Sequence, residues 1–204
     1  QALIVAPSGS AKSYLEFPVI HMPAIHLKRF GDVRLALPIN RVNAQIFEFK
    51  PDIIHLASPA LMGYYVARQA AMFNIPTVGI FQTDLAGFAK HYGFGLTNQT
   101  VWKWVSRIHQ SVDLTLAPSN SSCQDLSKLS VPNVLRWQRG VDTELFNPNR
   151  RSGNLQAKFS GKRIVGFVGR LANEKRVFDL AEISKRNDLQ LVVVGDGPAR
   201  KELE

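Results

Sequence analysis

Cysteine is nearly absent: Cys123 is the only one in 204 residues. A lone thiol closes no internal disulfide, which excludes a disulfide-stapled scaffold and fits a reducing compartment. Long apolar runs are missing too. Ala2–Ala6, Ile53–Leu56 and Leu191–Val194 are short, far below the roughly 20 residues that span a bilayer. Like charges never gather into a block of about five or more, which argues against a nucleic-acid-binding arm. Several catalytic signatures are also lacking. No HExxH, paired CxxC or GxSxG occurs, nor GxGxxG or GxxxxGK[ST]. Zinc and serine hydrolysis, nicotinamide-dependent redox chemistry and P-loop nucleotide hydrolysis are therefore disfavoured. His21, His26 and His109 show no metal-ligand spacing with one another or with Cys123, so no metal site is expected.

What remains has the composition of an ordinary folded globule, 45% hydrophobic and 20% charged. The net charge of +9 suits an anionic partner such as a nucleoside diphosphate or a lipid headgroup, or else a solvated surface kept soluble by repulsion. Gln1 opens directly into Ala2–Ala6 with no Met and no basic stretch before it. The expectation is a chain that begins inside a longer protein, with no secretory leader in these residues.

Short β-branched runs alternate with helical periodicity. Strands are expected at Ala2–Ala6, Ile53–Leu56, Thr77–Phe81, Leu114–Ala117, Val134–Trp137, Ile164–Val168 and Leu191–Val194. Residues 10–37 read as irregular, broken by Pro18, Pro23 and Gly31, with one possible short strand at Phe17–Ile20. Between the strands, Ile39, Val42, Ile46 and Phe49 share a helical face, and a second helix opens at Pro59. Val101, Val105, Ile108 and Val112 mark a third helix, and Ser119 is the expected N-cap of a fourth. Trp102 and Trp104 fall on opposite sides of the third helix, one expected in the core and one exposed. A helix is also expected over Val177–Arg186, and another after Asp196-Gly197-Pro198. Strands joined through helices by short turns imply parallel βαβ units, hence an α/β class with Rossmann-like, doubly wound parallel sheets. The aperiodic stretch Gly140–Pro148 reads as a linker. Two strands after it bury too little apolar surface to stand alone, so the second domain is expected to continue past Glu204.

The sharpest element is GRLANEK, Gly169–Lys175, directly after the strand Ile164–Val168 and before a helix. Ligands in open parallel sheets bind beyond the carboxyl ends of the strands, and a helix N-terminus there favours phosphate. Gly169 would let the backbone approach a ligand. Arg170 and Lys175 would add a planar fork and a point charge suited to a diphosphate. On spacing alone, two solvated surface cations remain the alternative.

GRLANEK resembles the donor-phosphate motif of the retaining, family-four glycosyltransferases with the two-domain GT-B fold. RGVDTELFNP (Arg139–Pro148), VVVGDGPARKEL (Val192–Leu203) and TLAPSNSS (Thr115–Ser122) are similar to further segments of that family. FQTDLAGFAKHYG (Phe81–Gly93) and the helix after it resemble the actinobacterial GDP-mannose-dependent α-mannosyltransferases that act on lipid-linked acceptors. The resemblance implies an acceptor-binding Rossmann-like domain over residues 1–148 and the start of a nucleotide-sugar donor domain over 149–204. It places Gly169, Arg170 and Lys175 on the donor diphosphate. It implies transfer of a hexose with retention, mannose from GDP-mannose in the nearest subset, with no metal and no other cofactor. Many members carry His where this chain has Gln82; Gln82 and Asp84 are the expected catalytic-loop contacts to the sugar, with His91 and Tyr92, beside Lys90, as acceptor-side candidates. Gln82 can hydrogen-bond a hydroxyl but cannot exchange a proton at neutral pH. His55, Ser58 and Gly63 are weaker candidates for lining the same cleft.

Two family elements lie outside these residues: the first strand with its glycine-rich loop, and the acidic pair that holds sugar and ribose. The fragment alone is accordingly expected to be inactive. The expected partners are a nucleotide sugar, a lipid-linked or glycolipid acceptor and an anionic membrane surface, with no nucleic acid. Lys12, Lys28, Arg29, Arg34 and Arg41 are the candidate cations for a peripheral, cytoplasmic location on the inner face of the plasma membrane. The alternative readings are a sugar-nucleotide-binding module without transfer activity, a UDP-sugar-dependent transferase, or an epimerase sharing the fold.

Overall fold

The computed structural model of the chain describes residues 1–27, 33–38, 40–57, 59–82, 98–138, 140–151, 153–159 and 162–204. The chain divides into two compact units, Gln1–Arg139 and Gly140–Glu204.

In the first unit, four strands form one parallel sheet in sequential order: β6 (Ile54–Leu56), β7 (Thr77–Ile80), β8 (Leu114–Ala117) and β9 (Val134–Arg136). Their registers run Ile54↔Thr77, Val78↔Leu114 and Thr115↔Val134. Helices α2 (Leu61–Met72), α3 (Asn98–His109) and α4 (Asn120–Lys128) connect them. These are the expected βαβ units, and the chain is α/β with Rossmann-like parallel sheets. Local chemistry sets their ends. Asn74 adopts φ +54°, a left-handed conformation that Asn tolerates, and Ile75 N–H reaches back to the Ala70 carbonyl at 3.0 Å. The Ser119 hydroxyl caps α4 by accepting from Ser122 N–H at 3.1 Å.

The segment before this sheet departs from expectation. Residues 10–37, expected to be mostly irregular, supply four strands: β2 (Ser13–Tyr14), β3 (Phe17–Met22), β4 (Ala24–Leu27) and β5 (Val33–Ala36). β3 pairs in parallel with β1 (Ile4–Pro7) and antiparallel with β2, while β4 and β5 form a separate antiparallel pair. These strands are short and carry polar residues. Pro18 lies within β3, opposite Ser13, so the breaker that hides the strand from pattern reading is accommodated inside the ladder. Helix α1 (Asn40–Glu48) then leads to β6.

Two apolar clusters hold this unit. Phe81, Val101, Val105, Ala117, Leu126 and Val131 form one. Met22, Ile46, Leu56, Val66, Ala67 and Val112 form the other, with Val5 and Ile20 packed against it. Each fully buried Leu or Val contributes on the order of 1.5–3 kcal/mol. The buried polar residues are partnered. Thr77 N–H and Oγ1 donate to Asp113 Oδ2 at 2.7 and 2.8 Å, and His109 Nδ1 lies 3.2 Å from Thr115 Oγ1. Both tryptophans of α3 are half-buried, correcting the expectation that one is exposed. Trp102 stacks near Phe81 with centroids 6.4 Å apart, and Trp104 meets Tyr64 at 5.1 Å.

The second unit contains α5 (Gly153–Lys158), β10 (Arg163–Val168), α6 (Leu180–Ser184), β11 (Leu189–Val194) and α7 (Arg200–Leu203). β10 and β11 pair in parallel from Arg163↔Leu189 to Val168↔Val194. Leu171, Val177 and Ala199 form the buried cluster beneath the strand ends.

Candidate functional site

The carboxyl ends of β10 and β11 are joined backbone to backbone. Gly169 N–H donates to the Val194 carbonyl at 3.0 Å, and Leu171 N–H to the Asp196 carbonyl at 2.9 Å. Ala199 N–H returns to the Leu171 carbonyl at 3.0 Å. Gly195 and Gly197 make this fit possible. Their φ values are +155° and +158°, and a Cβ on either would collide with the carbonyl oxygen of Gly169 or Leu171 respectively. Only glycine supplies both the conformation and the clearance. Asp196 completes the turn, its Oδ1 accepting from Gly197 N–H at 2.8 Å. Neither glycine was singled out as a site residue from sequence, although the repeated glycine in GDG was the signal. At Gly169 itself a Cβ would make only ordinary contact with the Phe167 ring, at 3.5 Å.

The segment after β10 corrects one expectation. In place of one helix over Val177–Arg186, two 3-10 turns, Asn173–Lys175 and Val177–Asp179, precede α6 of five residues. Arg176 sits between the turns at φ +51°, which breaks helical continuity. Val177, completely buried, is drawn into the core at that break. The helical stretch after the break, Val177–Asp179 running into Leu180–Ser184, is short, so little phosphate-favouring dipole can build along it. What the loop presents is side-chain charge.

Arg170 donates from Nε to Glu174 Oε1 at 3.1 Å, and Nη2 closes on the same oxygen. The two side chains are 41% and 21% exposed. Pairs between fully exposed side chains are worth about 0–1 kcal/mol; this one is partly sheltered on the Glu174 side. Lys175, in the first 3-10 turn, is exposed and has no protein partner among the described residues. The loop therefore offers one guanidinium paired with Glu174 and one ammonium without a partner among the described residues. Glu174 was missed in the sequence reading, though its position four residues after Arg170 was visible.

In the first unit, the strand ends are tied by main-chain bonds, Phe81 N–H to the Leu116 carbonyl and Trp137 N–H to the Ala117 carbonyl, both at 2.8 Å, and by side chains as well. Gln82 donates from Nε2 to the Ala57 carbonyl at 2.7 Å, joining the ends of β6 and β7. The Ser119 hydroxyl lies 2.9 Å from both Ser121 and Ser122 hydroxyls, and Arg136 Nη1 reaches Asn120 Oδ1 at 3.0 Å. Asp84, Lys90, His91, Tyr92 and Ser58 lie outside the described residues. His55 is exposed on β6. Gly63 serves packing: a Cβ there would press on Pro59 at 2.8 Å. His109 lies under β7, edge-on to Phe81 at 5.6 Å, and burial lowers its pKa from 6.5 to about 4. Of the candidate membrane cations, Arg34 is engaged internally, donating to the Ser8 carbonyl at 2.7 Å. Lys12 is exposed; Lys28, Arg29 and the Arg41 side chain lie outside the described residues. No group of His, Cys, Asp and Glu among the described residues is arranged to hold a metal. Among the described residues, no helix is long and apolar enough to cross a membrane.

Comparison with known proteins shows the family. The profile of Glycosyltransferase Family 4 matches residues 1–145, and the chain belongs to that family. A GDP-mannose-dependent alpha-mannosyltransferase of Mycolicibacterium smegmatis is 44% identical over 188 residues, covering 91% of this chain and 50% of that protein. The Mycobacterium tuberculosis protein of the same description is 38% identical over 212 residues, covering 100% of this chain and 56% of its own length. A sulfoquinovosyl transferase of Arabidopsis thaliana is 34% identical over 211 residues, covering 99% and 41%. The chain thus spans about half the length of the curated relatives it matches.

Proposed function

We propose that the complete protein is a retaining hexosyltransferase that moves mannose from GDP-mannose to a lipid-linked acceptor. The bond from the sugar anomeric carbon to the diphosphate breaks, and a new bond forms from that carbon to an acceptor hydroxyl on the same face. The hydroxyl proton leaves with the nucleoside diphosphate. Negative charge grows on the leaving group, and pre-placed cations stabilise it better than water does. Arg170 and Lys175 take this role, the diphosphate replacing Glu174 as the guanidinium's partner. With two cations in place, no metal is needed. Gln82 and Asp84 contact the sugar, and His91 and Tyr92 lie on the acceptor side. The acceptor binds in the domain of residues 1–148 and the donor in the domain that begins at 149. A lipid acceptor fits a protein working peripherally on the cytoplasmic face of the membrane.

The observation that carries this reading is the interlocked pair of strand ends, which holds Gly169–Leu171 in place while leaving Lys175 unpartnered among the described residues, with Arg170 on Glu174 beside it. The similarity to GDP-mannose-dependent relatives supports the donor. The test is a product assay on the complete protein with GDP-mannose, UDP-glucose and UDP-sulfoquinovose, each with and without a lipid extract. The expected result is an α-linked mannolipid from GDP-mannose alone, unchanged by EDTA. Release of free sugar or an epimer without acceptor, or transfer only from a UDP-sugar, would contradict it.

A further inference from the structure

A second basic site lies away from the strand ends. A groove of about 600 Å³ opens between α2 and α3, lined by Tyr64, Arg68, Met72, Arg107, Gln110 and Ser111. Most lie near the carboxyl ends of the two helices, just before β7 and β8 begin. The groove is therefore at the amino-terminal edge of the sheet. Arg68 lies seven residues along α2 from Leu61, about 10 Å down the helix axis from the end at which the helix begins.

The charge there is uncompensated. Neither α2 nor α3 contains an acidic residue. Several exposed cations elsewhere have carboxylate neighbours, as in Lys128–Asp125, Lys185–Glu182 and Arg186–Asp188. Arg68 and Arg107 have none among the described residues, and no carboxylate lines the groove. The two helix C-termini contribute about −0.5 charge each, so two guanidinium groups leave a net positive groove. Lys103, exposed one turn before Arg107, adds to it. Gln110 is anchored through Nε2 to the Leu129 and Ser130 carbonyls at 3.2 and 3.3 Å, which gives the groove a fixed polar wall. Two forks with ten N–H donors between them, hydrogen-bonded to no protein acceptor among the described residues, suit the oxygens of a phosphate group.

We infer that this groove binds a phosphate-bearing anion, at a site separate from the donor diphosphate. The test is calorimetric titration of inorganic pyrophosphate into the complete protein, wild type against Arg68→Gln/Arg107→Gln. Arg170 and Lys175 are the same in both proteins, so the difference reads the groove. The wild type should bind one further equivalent, weakened at least about ten-fold in the double variant, with an unchanged melting temperature. Arg68→Lys/Arg107→Lys, which keeps charge but not the fork, should fall between them and serves if the glutamine variant fails to fold. Flotation with phosphatidylcholine vesicles, with and without phosphatidylglycerol, separates the sources. Capture at low salt that depends on the two arginines assigns a lipid headgroup; pyrophosphate binding without capture assigns a soluble phosphate ligand. Equal pyrophosphate binding and equal capture in wild type and variants would overturn the inference.

Discussion

The two units finish their strands in different ways. In the second, main-chain hydrogen bonds and two glycines lock the loops after β10 and β11 together, with the Asp196 carboxylate completing the turn. In the first, main-chain bonds from Phe81 to Leu116 and from Trp137 to Ala117 are supplemented by side chains: Gln82 on the Ala57 carbonyl, Ser119 on its own helix, Arg136 on Asn120. A loop held by its backbone can leave its charged side chains for a ligand, whereas a loop held by its side chains has fewer to offer. This contrast is why the proposed charged grip is assigned to Gly169–Lys175 although the first unit carries more of the chain.

The comparison can be broken most forcefully by removing the grip. Arg170→Ala/Lys175→Ala in the complete protein should lower sugar transfer by about a thousand-fold or more. Thermal unfolding should move by no more than about 0.5 kcal/mol, because both side chains are exposed. Removing the lock instead should do the reverse. Gly195→Ala or Gly197→Ala forces a Cβ into a facing carbonyl at a φ that suits glycine, and should cost about 3 kcal/mol in thermal or denaturant unfolding. Activity would then fall as a consequence of lost structure.

On the first unit, the prediction concerns acid. His109 takes up a proton near pH 6.5 when unfolded but only near pH 4 when folded. The unfolded state binds more protons in that window, so stability falls as pH drops from about 6.5 to 4 and is indifferent to His109 above it. The slope, at most about 1.4 kcal/mol per pH unit, should be shallower in His109→Gln, read by urea unfolding across that range. The smallest effect is at a cap: Ser119→Ala leaves Ser122 N–H without its acceptor and should cost about 1 kcal/mol.

Sequence reading recovered the parallel sheet because each of its strands is a compact, mostly apolar run set off by turn residues or helical periodicity. β8 is found at Leu114–Ala117 as expected, and Ser119 caps the next helix. Strands β2 to β5 escaped because they are short, partly polar and interrupted by Pro18, and their pairing is set by partners rather than by their own pattern. In the candidate site, Arg170 and Lys175 were legible as charges at a strand end. The lock beneath them was not, since a main-chain fit between loops 25 residues apart leaves no periodic trace; only the spacing of Gly195 and Gly197 hints at it. The break at Arg176 was likewise hidden, because a left-handed arginine carries no residue-type signal.

Calorimetric titration of GDP into the complete protein, wild type against Arg170→Ala/Lys175→Ala, is the most direct test of the grip. Loss of at least about a hundred-fold in affinity, with the melting temperature retained, is the result expected here. Equal affinity in the two proteins would contradict it.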